Sequence, residues 1–175
     1  MKGEAGNSSD AILGFADRLR DSRRAQPEQR RTFESWVVFR VSNRSLALPV
    51  SHVREILRLA ELTEVPNAPK PVAGVMNLRG HVLPVLDTYA LLDLPTTSAT
   101  ASSRVLVCLI EERPIGLIVD DVSGLERLQV ELVQAVAADD PLARISQGAF
   151  PRDDQEALLL LDPARLFLQR ASAFN

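Results

Sequence analysis

The sequence predicts a mainly β fold. Apolar residues alternate with polar or oppositely directed ones from Phe33 to Val41 and again on either side of Glu111–Pro114, which is the period of a strand. Turn residues cut the chain into roughly nine or ten strand-sized pieces, the spacing found in small barrels and sandwiches. Helical patterns occur only at joints and ends, so the long crossover helices that parallel βαβ units require are missing.

Composition narrows the function. The chain has 175 residues, 46% of them apolar, and a formal net charge of −3. That length suits one domain with two lobes and a core that needs no covalent staples. The negative balance excludes the basic footprint of a nucleic-acid binder. A single cysteine, Cys108, sits in the apolar run Val105–Ile110 and reads as a small core residue. One cysteine excludes an internal disulfide and fits a reducing compartment. No apolar run approaches the ~20 residues of a membrane span, so direct membrane insertion is not expected. The N-terminus lacks the apolar core of a secretion signal. These features predict a cytoplasmic protein.

Residues 1–32 form an N-terminal amphipathic helix and linker. Asp10 is placed to cap the helix, and Ile12, Phe15, Ala16 and Leu19 share one apolar face. Arg18, Arg20, Arg23 and Arg24 crowd its later turns, where cations suit the helix dipole. Ile12, Phe15 and Leu19 either dock on the chain's own domain or form an accessory contact with a partner. Residues 33–170 form the main domain, with a first lobe over about 33–94, a C-terminal return to it, and a second lobe over about 104–156. Phe33–Val41 is the first strand, with Val37, Phe39 and Val41 on one face and Trp36 and Val38 on the other. Ser42-Asn43 turns the chain, Arg44–Leu48 returns, and Pro49 ends that strand. Ser51–Arg54 suits one helical turn, and Glu55–Leu62 a third strand. Pro66, Pro69 and Pro71 then hold an extended loop.

Val72–Asn77 and His81–Leu86 read as a hairpin about Arg79-Gly80, where Gly80 tolerates positive φ. A guanidinium at the tip of a rigid hairpin suits carboxylate recognition; the plainer reading is a solvated turn charge. A brief helix follows at Thr88–Leu92. The polar stretch Pro95–Ser103 is a connector between the lobes. Strands are expected at Arg104–Ile110, Ile115–Val119 and Val122–Val130, with a bend or bulge at Ser123-Gly124. Residues 131–148 are ambiguous. Ala157–Leu161 is a buried strand, and Asp162-Pro163 opens a last helix over Ala164–Arg170.

No catalytic or metal constellation emerges. His52 and His81 have no ligand partners at motif spacing, and no cofactor loop is present. Ser51 and His52 are adjacent, with no Gly-x-Ser-x-Gly elbow around a serine. Asp120-Asp121 and Asp139-Asp140 read as solvated turns. The expectation is a binding module without cofactors.

Five blocks in order carry a family resemblance: Trp36–Phe39; Leu46–Val50 with Val53–Ile56; Val65-Pro66 and Pro69 with Gly74–Gly80 and Leu83–Asp87; Gly116–Leu125; and Leu160–Asp162. Together they resemble the CheW-like adaptor domains of bacterial chemosensory systems. The resemblance implies two small five-stranded barrels of the Src-homology-3 type, packed together, and no catalysis. It implies coupling of the cytoplasmic tip of a methyl-accepting receptor to the regulatory domain of a CheA-type histidine kinase, with recruitment to receptor clusters. Matched by motif, Val53 and Gly74 would belong to a receptor-facing groove, with Gly116, Val122 and Leu125 facing it from the second lobe and Glu55 paired with Arg79 beside it. Thr88-Tyr89 stands where the family often has Leu-Arg. The rival readings are a divergent module serving another kinase or regulatory partner and, more distantly, an enzyme using Ser51 or His52.

Because the strand pattern begins only at Phe33, deletion of residues 1–28 should leave a cooperative unfolding transition, measured by circular dichroism; a truncated chain that fails to fold would make the segment structural.

Overall fold

A computed structural model describes residues 31–110, 112–153 and 156–171. The predicted helix bearing Ile12, Phe15 and Leu19 lies outside the described residues. The strands are β1 (Phe33–Val41), β2 (Arg44–Pro49), β3 (Val53–Arg58), β4 (Val72–Leu78), β5 (His81–Leu86), β6 (Arg104–Ile110), β7 (Arg113–Val119), β8 (Asp121–Gln129), β9 (Ser146–Phe150) and β10 (Leu158–Leu161). The helices are α1 (Thr88–Leu92) and α2 (Pro163–Ala171). Short 3-10 turns occupy Val50–His52, Val130–Leu132 and Ala143–Ile145; the second begins at the last residue of the predicted Val122–Val130 strand, and the third lies inside the ambiguous stretch 131–148.

The strands form two five-stranded sheets, in the orders β8-β1-β2-β10-β9 and β3-β6-β7-β5-β4. This is the mainly β, paired-sheet fold that the sequence predicts. The strands group differently from the predicted lobes. The chain lays down β1 and β2 in the first sheet, builds the whole second sheet from β3 to β7, then returns for β8, β9 and β10. Pro95–Ser103 therefore links α1 to β6 within one sheet's territory and does not join the lobes. The crossings are the Val50–His52 turn and the single residue Asp120 between β7 and β8. Period two assigns residues to faces but says nothing about which strand lies alongside, so the boundary was misplaced. Near the C-terminal end, β10 pairs in parallel with β2 through Leu159 and Leu46.

Alternation feeds three apolar clusters. Trp36 and Val38 point into a cluster enclosed by the first sheet, with Ala47, Leu128, Leu158 and Leu160. Val105 and Val107 join Leu83 and Val85 inside the second sheet. The opposite faces of the same strands, Phe39, Leu106, Cys108, Leu159 and Leu161 among them, meet between the sheets. The third strand ends at Arg58, earlier than predicted; Leu59 and Leu62 beyond it still pack on the second sheet's cluster, and Thr63 bridges to Val75. The helix starts follow the sequence: the Asp87 carboxylate accepts from the backbone N–H groups of Tyr89 and Ala90 at 2.9 and 3.2 Å. Asp162 Oδ1 accepts from Arg165 N at 3.1 Å. These side chains satisfy donors that a first helical turn leaves open.

Burial pushes the Cys108 thiol up to about 12 from an ordinary 9.0. The folded thiol keeps its proton after the unfolded one has lost it. Its contribution is thus complete below pH 9 and is lost as pH rises through the folded value, by up to ~1.4 kcal/mol per pH unit. Cys108→Ala should therefore show a shallower fall of Tm between pH 9 and 11 than the parent chain; equal slopes would place the thiol in contact with water.

Candidate functional site

The groove sits where one edge of each sheet comes free. β3 is the edge of the second sheet and β8 the edge of the first. Val50, Val53 and Ile56 line one side, Gly124 and Leu125 the other, and Val37 closes the floor. Arg54 and Glu55 supply the polar margin. Val50, Ile56 and Leu125 are 40%, 45% and 68% exposed. Grouped apolar side chains left open to water with a charged rim mark an association surface.

The local sequence explains how the groove stays open. The pairing of β1 with β8 shifts between Val38 and Phe39, so Ser123 has no partner across the ladder. Gly124 takes φ +132 there, with open space where a side chain would be. This is the bulge expected at Ser123-Gly124, and it presents Leu125 outward opposite Val37. In the β4–β5 hairpin, Arg79 has φ 54 and Gly80 φ 87. Both central residues thus take positive φ, as in the two-residue turns whose twist matches antiparallel strands. The Asn77 side chain accepts from Gly80 N at 2.8 Å. Arg79 Nη2 donates to Glu55 Oε2 at 2.8 Å, joining the hairpin tip to β3. The arginine side chain is 74% exposed and the glutamate 20%. Such a pair is worth only ~0–1 kcal/mol of stability.

The structure brings Val53, Glu55 and Leu125 together at the groove, with Arg79 bonded at its margin. It puts Gly74 and Gly116 elsewhere. Gly74, at φ +151, is buried where a Cβ would lie 2.7 Å from the Thr63 carbonyl oxygen. Thr63 and Val75 exchange two 2.9 Å backbone hydrogen bonds at that crossing. Gly116 sits between β5 and β6, where a Cβ would meet Val105 Cγ1 at 2.7 Å. Both glycines permit close packing inside the second sheet and do not line the groove. Val122 is half-buried against the cluster between the sheets. Leu125 faces the groove from the first sheet, because β8 pairs with β1.

Sequence reasoning passed over Val37, Val50, Ile56 and Gly124. Ile56 had a signal. β3 alternates half-buried Val53, Glu55 and Leu57 with exposed Arg54, Ile56 and Arg58, so an isoleucine falls in phase with two arginines. The catalytic alternative has little geometry. Ser51 Oγ and His52 Nδ1 lie 3.1 Å apart, but among the described residues no carboxylate orients the imidazole. The nearby Asp162 bonds Arg165 at both carboxylate oxygens. Among the described residues no group of three or more His, Cys, Asp or Glu could hold a metal ion. No described helix is long and apolar enough to cross a membrane.

An open groove between two small packed sheets, flanked by an ion pair, defines a binding module. Residues 35–171 match the family model for the CheW-like domain, and the chain belongs to that family. Protein FrzA of Myxococcus xanthus is 32% identical over 145 residues, which are 82% of this chain and 91% of that protein. The probable chemotaxis protein CheW of Rhizobium etli is 33% identical over 98 residues, 56% of this chain. That match spans 63% of the Rhizobium protein's length. The crystal structure of the scaffolding protein TtCheW from Thermoanaerobacter tengcongensis shares the fold, with a TM-score of 0.71 at 22% identity. The likeness covers 81% of this chain and 92% of that one.

Gly116→Ala forces a methyl against Val105 and should cost ~1–3 kcal/mol, read as a lower urea midpoint at unchanged slope. No shift in the midpoint would mean that β7 is less tightly held than the geometry requires.

Proposed function

We propose that this chain is a non-enzymatic adaptor that couples the cytoplasmic tip of a methyl-accepting receptor to the regulatory domain of a CheA-type histidine kinase. It would act in the cytoplasm, at receptor clusters, and needs no cofactor. The observation that carries this reading is the apolar groove between β3 and β8 in a chain of the CheW-like family. A helical partner segment laid in such a groove would bury spaced apolar anchors. Val53, Ile56 and Leu125 would receive those anchors. Glu55 and Arg79 would fix the register at the margin. Gly74, Gly116 and Val122 support the groove through packing in this reading.

A second reading is a CheW-like module that serves a different kinase or regulatory partner. Thr88-Tyr89 favours it, because the Tyr89 hydroxyl bonds to Asp120 and lies 2.8 Å from Thr97 Oγ1, contacts that an aliphatic or arginine side chain would not make in this form. The two readings part in a pull-down: recovery of both receptor and CheA-type kinase supports the first, and recovery of another kinase alone supports the second.

Arg79→Ala should shift Tm by no more than ~4 °C, as a surface pair worth ~0–1 kcal/mol allows, yet weaken receptor or kinase binding by about tenfold or more, since desolvating an unpaired carboxylate at an interface costs ~2–5 kcal/mol. The exchanged pair Glu55→Arg with Arg79→Glu should recover part of the affinity, and titration calorimetry over the double-mutant cycle gives the coupling. Parental affinity of Arg79→Ala for both partners would defeat the proposed role of the pair.

A further inference from the structure

The groove between β3 and β8 carries a charge pattern that its apolar lining does not explain. Directly opposed residues of an antiparallel pair share one face of the sheet, so the ladders show which side chains lie on the groove side. On β3, Ile56 opposes Leu106 of the layer between the sheets, and Arg58 stands two places further on that face, opposite Arg104. On β8, Leu125 opposes Val37 of the same layer, and Arg127 stands two places further, opposite Ser35. Each edge thus offers an exposed apolar residue followed two positions later by an exposed arginine. The β3 ladder skips Arg54, between Val53 and Glu55, and this bulged, exposed residue lines the groove as well.

None of these three arginines makes an ion pair among the described residues; the arginines that do are Arg44, Arg79, Arg152 and Arg165. Arg127 lies 5.4 Å from the centroid of the Phe33 ring, a contact that keeps its charge. The carboxylates on the same strands are engaged or face away. Glu55 accepts from Arg79. Glu34 and Glu126 oppose Leu128 and Trp36, so both belong to the other face of β1 and β8, and Glu126 accepts from Arg152. Asp121 stands opposite Arg40. Arg58 directly across from Arg104 is a like-charge pair, an arrangement that destabilises a sheet. Arg104 donates through Nη1 to the carbonyls of Ala101 and Ser103, which leaves its charge in place. In a chain whose formal net charge is −3, a basic rim that opposes its own sheet points to a partner rather than to the fold.

We propose that the groove selects a helical protein segment whose apolar anchors are flanked by carboxylates, with Arg54, Arg58 and Arg127 meeting those carboxylates as the anchors reach Ile56 and Leu125. This rests on the adaptor reading for the entry of a helical segment into the groove, and it adds the charge that the segment must carry. Complementary charge at such a rim steers encounter and rejects wrongly charged partners. A neutral helix with the same apolar spacing would fill the groove equally well and leave three cations unanswered.

Two synthetic helical peptides test the charge preference on the full chain by fluorescence anisotropy. Both carry the same leucines at i, i+3, i+4 and i+7; one has glutamates beside them and the other glutamines. At about 50 mM salt the glutamate peptide should bind about fivefold or more tightly, as several exposed ion pairs together allow, and at about 500 mM the gap should close. The triple variant Arg54→Gln, Arg58→Gln, Arg127→Gln should lose the preference, whereas Leu125→Ala should weaken both peptides alike. Equal affinities, no binding of either peptide, a preference that survives in the triple variant, or indifference to Leu125→Ala overturns the proposal. Vesicles containing anionic lipid form a further arm: arginine-dependent binding to them, with the two peptides bound equally, would assign the rim to a membrane surface instead. The cytoplasmic tip of a methyl-accepting receptor is measured in parallel. If it fails to bind while the glutamate peptide keeps its advantage, the adaptor reading falls and the acidic preference stands. If it binds the triple variant as tightly as the parent chain, the preference falls and the adaptor reading stands.

Discussion

Phe39, Leu48, Leu106, Cys108, Leu159 and Leu161 meet between the two sheets, and each stands on a strand whose opposite face is buried as well. A strand covered on both sides cannot slip by one residue, because a slip would exchange its two apolar sets without exposing either to a site of the right shape. The shared layer therefore sets the distance and register between the sheets. The groove follows from it. β3 and β8 are the edges left after the inner strands have found partners, and the gap between them is as wide as the shared layer dictates. The association surface is thus specified mainly by residues that no partner would touch.

That dependence explains what could be read from the sequence. Strand faces were legible in Phe33–Val41, since alternation is a local property of backbone geometry. The Asp87 and Asp162 helix starts were legible for the same reason, being side chain to backbone contacts within three residues. Pairing was not. The Pro95–Ser103 stretch has the composition of an inter-lobe linker, yet the two crossings between sheets have almost no length. One is a turn of three residues, the other a single aspartate. A sharp crossing leaves little compositional trace.

The candidate site divides along the same line. Glu55 and Arg79, separated by 24 positions, were joined by motif resemblance, and the structure brings them within hydrogen-bond distance. Gly74 and Gly116 came from the same resemblance and belong to packing. A glycine can mark a ligand's approach or a neighbouring strand's approach, and only the surroundings tell which. For Gly116 the neighbour is the valine pair Val85 and Val105. Ile56 shows the converse case. Its phase within β3 was readable, but it gained meaning only once Leu125, from the far part of the chain, was opposite.

The order of the strands along the chain bears on synthesis. Every strand of the second sheet falls between Val53 and Val119, so that sheet can close while the remainder is still emerging from the ribosome. The first sheet has no such freedom. Its opening hairpin, with Trp36, Phe39 and Leu48, must wait until Leu158–Leu161 has been made before its central ladder is complete. During that interval the hairpin carries two bare apolar faces, the condition in which a nascent chain attracts chaperones or sticks to its neighbours. The second sheet is the surface that covers one of those faces, since Phe39 and Leu48 pack in one cluster with Leu106 and Leu117.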